Sequence, residues 1–249
     1  KLISVPSLSN GKHDHNYIEV YKMNDQTALL HQWEISPFCG KVRRILDAKE
    51  IAYQTKNYNG MSVPIAATLS GVGKLPVLDI KGERVTDSHA IAAYLEQHYP
   101  NSTKLIPVDD QQKALMTVYE DWADSSLYWY NFYFRLKYDD AWQKASDYFA
   151  EKRPAYEKII VKVAGRRQYM KQLNGQGMGR YPKHQVEASF MRLIDQLEIT
   201  LSKSQWLVGD TKTLADIAVA SQLHEIKRTS HMTKALIDLT SVNDWLNRT

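Results

Sequence analysis

An α/β unit followed by an all-helical unit is what the sequence predicts, and three observations carry that expectation. Residues 28 to 100 alternate between strand signals and helix signals, the pattern of a layered α/β domain. The stretch "PNSTKLIPVDD", residues 100 to 110, is rich in Pro, Asn, Ser and Asp and has no periodicity, so 101–110 reads as a linker. From 111 to 249 the apolar residues recur at helical spacing, and 249 residues are enough to bury two cores.

In the first unit, "ALLHQW" reads as a strand, "GKVRRILDAKE" as a helix and "AYQTKNY" as a second strand. A less regular segment comes next. "KLPVLDIKGERVTD" then gives two short strands around a turn at Lys81-Gly82, and "SHAIAAYLEQHY" gives a helix that Pro100 stops. This β-α-β, β-β-α order is that of a thioredoxin-like domain.

In the helical unit the best-marked element runs from Gln185 to Ser202, where Val186, Phe190, Leu193, Ile194, Leu197 and Leu201 form one buried stripe. A second helix comes after "WLVGDTKT". Its opening "TLAD" places Thr213 as N-cap and Asp216 three residues later, the spacing of a capping box. The aromatic run "YEDWADSSLYWYNFYFRLKY" sets Trp122, Trp129 and Tyr133 on one helical face. Such a face either packs between helices or walls an apolar ligand site.

Composition narrows the function classes. A single cysteine, Cys39, forbids any intrachain disulfide and with it a two-cysteine oxidoreductase cycle. The net charge of +4 is mild, and its densest cluster is "EKRPAYEKIIVKVAGRRQYMK", with seven basic and two acidic residues. That cluster is either a solvated helix face or a site for an anionic partner. Neither a nucleic-acid module nor a metal-ligand spacing is present in the sequence pattern. No apolar run reaches the ~18 residues of a membrane span, and "KLISVPSLSNGKHDHNYIEV" lacks a signal core. The expectation is a cytoplasmic protein with no nucleic-acid or membrane partner. Residues 1–27 read as an N-terminal extension, in which only "YIEVYKM" alternates like a strand.

Four stretches, in this order and at these distances, resemble the glutathione transferase family over residues 28 to 249. "SPFCGKVR" resembles the active-site turn and first helix of its serine- and cysteine-type members, and "GKLPVL" the strand with the cis-proline. "DSHAI" resembles the glutamyl-binding turn, and "WLVGDTKTLADIAVA" the capping-box helix of the helical domain. The resemblance implies a thioredoxin-like glutathione-binding domain at 28–100, an all-helical bundle at 111–249, glutathione as co-substrate without a metal, and a homodimer.

The resemblance also assigns site residues. Ser36 stands at a helix N-terminus where redox relatives keep an attacking cysteine, with Pro37 at the first helical position. A serine there can donate a hydrogen bond to the thiolate of bound glutathione. Leu75-Pro76, if cis, offers Leu75 backbone to the cysteinyl part of the tripeptide, and Lys74 is either a partner for the glycyl carboxylate or an ordinary exposed lysine. Ser88 suits a carboxylate at a helix start, and Asp87 suits the ammonium. Cys39, one turn from Ser36, is either an inert buried thiol or the reactive group of a single-cysteine thiol/disulfide or quinone reductase. The expected reaction is attack of the glutathione thiolate on a small apolar electrophile, as in detoxification. A non-catalytic adaptor is the alternative from another class.

Overall fold

The structure is a computed structural model that describes residues 27–249; the strand read at "YIEVYKM" and the extension around it lie outside the described residues. Its first half is a four-stranded mixed sheet with helices on it. The strands are β1 (Ala28–Gln32), β2 (Tyr53–Asn57), β3 (Val77–Ile80) and β4 (Glu83–Thr86), in the order β2-β1-β3-β4. β1 and β2 are parallel, joined through α1 (Pro37–Ala48), and the other two pairs are antiparallel. The β3–β4 turn falls at Lys81 and Gly82, with φ of 50° and 79°, both positive as a two-residue hairpin loop requires.

α1 buries Val42, Ile45 and Leu46 against the sheet and against Ile91, Ala92 and Leu95 of α3 (Ser88–His98). The irregular segment after β2 forms a 3-10 turn at Gly60–Ser62 and then α2 (Val63–Ser70). Gly60 cannot be replaced cheaply. Its φ is 59°, and a Cβ there would stand 2.1 Å from Glu157 Oε2.

The second half is helical: α4 (Asp110–Trp122), α5 (Tyr128–Lys137), α6 (Asp139–Phe149), α7 (Ala155–Ile160), α8 (Arg166–Gln176), α9 (Lys183–Leu201), α10 (Leu214–Thr229), α11 (Thr233–Asp238) and α12 (Thr240–Arg248). α10 lies at its centre and packs on α1, which joins the two halves. Asp216 explains why α10 can be buried from its first turn. Its carboxylate accepts from Thr213 N (2.9 Å), Thr213 Oγ1 (3.1 Å), Leu207 N (2.9 Å) and Trp245 Nε1 (2.9 Å), so the capping box also ties down the preceding loop and α12.

Two π turns, Ala123–Leu127 and Val161–Gly165, continue α4 into α5 and α7 into α8. Each widens the helix and rotates the residues C-terminal to it, a shift that a fixed helical period does not anticipate. The second leaves Lys162 C=O to accept from Trp142 Nε1 at 2.9 Å.

Candidate active site

One end of the sheet gathers the residues singled out in the sequence. Gln32 closes β1 beside Asn57 of β2, His31 pairs with Val77, and Val77 pairs with Thr86. The Trp33–Ser36 loop, the Leu75-Pro76 bond and the Asp87-Ser88 turn therefore all leave the sheet from the same end. The Leu75-Pro76 bond is cis, and Leu75 packs with Cys39, Tyr58, Ala66 and Val77 in a small core under the loop. Lys74 is exposed beside them.

Ser36 caps α1: its Oγ accepts from Cys39 N at 3.4 Å, and Gly40 N donates to Ser36 O at 2.9 Å. The side chain is half-buried, so its hydroxyl hydrogen can be directed at a ligand. The loop ahead of it is held from three directions. Trp33 Nε1 donates to Tyr58 O at 2.8 Å, Arg43 Nη2 donates to Glu34 O at 2.9 Å, and Arg228 of α10 pairs with the Glu34 carboxylate at 2.6 Å. Cys39 has no exposed surface, and burial pushes its thiol up to about 11, the Ser36 hydrogen bond countering only in part.

Asp87 sits at φ 76°, a conformation that costs a non-glycine residue about 1 kcal/mol or more. Its Oδ1 accepts from His89 N at 2.9 Å and from Ala90 N at 3.3 Å, while Oδ2 makes no hydrogen bond among the described residues. Ser88 is buried at the start of α3. Behind this turn lies a cluster that no sequence motif announces. Lys41 of α1 is buried and bonds Glu120 Oε1 at 2.6 Å and Asp124 Oδ2 at 2.9 Å, and Glu120 Oε1 stands 3.3 Å from His89 Nδ1. Burial works against the Lys41 charge, but Asp124 and Glu120 together lift its pKa above the ordinary lysine value. Burial likewise raises Asp124, which Lys41 offsets in part.

Of the three aromatic residues expected on one face, Trp122 and Trp129 are half-buried and Tyr133 is buried. Tyr133 has no exposed surface and its hydroxyl donates to Tyr181 O at 2.9 Å, so it is a core residue and not a wall. Trp122 packs edge-on to Tyr119, before the π turn, and Trp129 lies beyond it, edge-on to Tyr128 at 5.2 Å. The π turn stands between Trp122 and the other two, while Trp129 and Tyr133 lie four residues apart on α5. The ring that reaches the active-site helix is Tyr128, whose centroid is 5.2 Å from that of Phe38, two residues past Ser36. Phe132 stacks on Tyr128 at 5.6 Å and Tyr169 meets Phe132 at 5.5 Å, so the half-buried chain Phe38-Tyr128-Phe132-Tyr169 runs from the loop into the helical half. Only the density of aromatics in the sequence pointed to it.

A thioredoxin-like sheet with a serine-capped first helix and a cis-proline, packed on a helical bundle, defines the glutathione transferase class. Residues 30–103 match the family model described as Glutathione S-transferase, N-terminal domain, and residues 181–249 that of the C-terminal domain. The chain belongs to the glutathione transferase family. It is 28% identical over 199 residues, 78% of this chain and 81% of the other, to the isoprene-epoxide–glutathione S-transferase of Rhodococcus sp. (strain AD45). It is 30% identical over 153 residues, 58% of this chain and 56% of the other, to the protein LigF of Sphingobium sp.. The crystal structure of the β-etherase LigF from Sphingobium sp. superposes with a TM-score of 0.62 at 21% identity, covering 89% of this chain and 93% of that one, which is a likeness of fold.

Proposed function

We propose that the chain is a glutathione transferase in which Ser36 holds bound glutathione as its thiolate and that thiolate attacks an apolar electrophile. The observation that supports this reading is the convergence, at one end of the sheet, of the α1 N-terminus, the cis Leu75-Pro76 bond and the Asp87-Ser88 turn. Lowering a thiol pKa by about two needs roughly 2.7 kcal/mol. A charge-assisted hydrogen bond of about 1.5–3 kcal/mol and a helix-end contribution of about 0.3–1 kcal/mol supply it. Leu75 backbone takes the cysteinyl part of the tripeptide, Ser88 the glutamyl carboxylate, Asp87 Oδ2 the ammonium and Lys74 the glycyl carboxylate.

The aromatic chain from Phe38 to Tyr169 supports an aromatic or otherwise apolar electrophile. The relatives are named for an epoxide and for a β-ether, and both names point to carbon bonded to oxygen. In such a step the glutathione sulfur forms a bond to carbon, the C–O electron pair leaves with oxygen, and oxygen takes a proton; nothing is oxidised or reduced. The rival reductase through Cys39 draws no support from a thiol with no exposed surface. A homodimer in the cytoplasm with a detoxifying role completes the reading.

The test is a screen with glutathione over epoxides, aryl ethers, halogenated aromatics, disulfides and hydroquinones. Conjugation of a C–O electrophile bears the reading out. Disulfide or quinone reduction alone would assign the chain to the reductases, and glutathione binding without turnover to the adaptors.

A further inference from the structure

The basic stretch at 151–171 has a geometry that the proposed activity does not use. From Ala155 to Gln176 the chain is one continuous helical run, α7, a π turn and α8, and its first part, α7 with the π turn, is turned inside out, whereas α8 buries Leu173. Its acidic residue Glu157 faces inward, accepting from Met61 N at 2.8 Å and pairing with Arg153 at 2.7 Å, and these partners hold its carboxyl at about 2. The large apolar residues of α7 and the π turn face out: Tyr156 is 59% exposed, Ile159 67%, Ile160 46% and Val163 67%. Tyr156, Ile159 and Ile160 lie at i, i+3 and i+4 on α7, and Val163, in the π turn that follows, extends the same exposed apolar stripe.

Basic side chains border this stripe. Lys158, Arg167 and Lys171 are exposed and make no ion pair among the described residues. Two shallow open depressions adjoin the stripe's α8 end, one bordered by Lys162, Val163, Arg166 and Arg167 over Met170, the other by Arg167 and Lys171. An aliphatic stripe set between basic side chains matches an anionic surface that is apolar just beneath, which is the make-up of a bilayer containing acidic phospholipids. A second copy seated by two-fold symmetry would instead bring like charges together.

We propose that this face docks peripherally on anionic phospholipid membranes, with Ile159, Ile160 and Val163 entering the interface and Lys158, Arg167 and Lys171 meeting headgroup phosphates. The proposal departs from the expectation of no membrane partner. Among the described residues no helix is long and apolar enough to cross a bilayer, so the contact is at the surface.

The experiment is co-sedimentation of the full chain with vesicles of phosphatidylcholine alone and of phosphatidylcholine mixed with phosphatidylglycerol, at low and high salt. Binding is expected to the mixed vesicles only and to weaken with salt. Ile159→Glu should weaken it by about tenfold or more, and Arg167→Glu and Lys171→Glu by about fivefold each, with the fold and any glutathione conjugation unchanged. Failure to bind the mixed vesicles would overturn the proposal. So would binding indifferent to Ile159→Glu, which means charge attraction alone, as to an acidic protein. A dimer that Ile159→Glu splits would assign the face to a second copy and equally overturn it.

Discussion

Arg228, in the last turn of α10, pairs with Glu34, two residues ahead of Ser36 in the active-site loop, at 2.6 Å, and the same guanidinium bonds Glu225 at 2.9 Å. The helical half thus fixes the loop that carries the candidate catalytic serine. Arg228→Ala should lower stability by about 1–3 kcal/mol in chemical denaturation, because Glu34 and Glu225 both lose a charged partner. Arg228→Lys should restore only part of it, since one ammonium cannot span both carboxylates. An unchanged unfolding midpoint in the alanine variant would remove this contact from the account.

Cys39 should be unreactive in the folded chain. With a thiol at about 11 and no exposed surface, alkylation by iodoacetamide at pH 8 should proceed only as fast as the protein unfolds. The folded pKa lies above the ordinary value of 9.0, so the contribution to stability is complete below pH 9 and is lost as pH rises toward 11, about 2–3 kcal/mol in all. Cys39→Ala should remove that part of the alkaline loss. Rapid labelling of the native protein would contradict the inert assignment.

Asp216→Ala strands four donors, on Thr213, Leu207 and Trp245, so it should cost about 3–5 kcal/mol. That is more than an isolated helix cap is worth. Calorimetric unfolding reads the loss, and glutathione affinity at the sheet end should hold in whatever fraction stays folded. A loss within the range of a simple cap would mean that the Leu207 and Trp245 bonds carry little.

The strands and α1 were legible because their apolar runs are short and bounded by turn residues, as at Lys81-Gly82. α2 was not, since "VPIAATLS" has no amphipathic period, and the 3-10 turn that leads into it is held by Glu157 accepting from Met61 N, a contact between residues 96 positions apart. Ser36, Leu75-Pro76 and Asp87-Ser88 could be picked out because each is a local motif. Lys41 could not: its spacing marks it as an ordinary charged residue, and only the tertiary fold brings it against Glu120 of α4 and Asp124 of the π turn. That Tyr133 is fully buried was not legible for a related reason: its spacing is that of Trp129 one turn earlier, and only the packing of α5 decides which of the two is covered, while the π turn at Ala123–Leu127 leaves no mark in the periodicity.

At the other end of the bound tripeptide, Ser88→Ala should weaken glutathione binding by about ten- to a hundredfold, the loss of one charge-assisted partner worth about 1.4–2.7 kcal/mol. Titration calorimetry reads it directly. Asp87→Asn should weaken binding as well, yet keep the α3 cap, because its Oδ1 can still accept from His89 N. Affinity unchanged in both variants would take this turn out of the binding site.

Ser36 is the residue on which the proposed chemistry turns, and the pKa of bound glutathione is what it should move. The thiolate absorbs in the ultraviolet, so a pH titration of the complex gives that pKa in the native protein and in Ser36→Ala, with Cys39→Ala beside them. The bound thiol is expected well below its free value in the native protein and in Cys39→Ala. In Ser36→Ala the pKa should rise by about one to two, with conjugation at neutral pH falling about ten- to a hundredfold. A bound thiol whose pKa is the same with and without the Ser36 hydroxyl would contradict the assignment of Ser36 as the thiolate's partner.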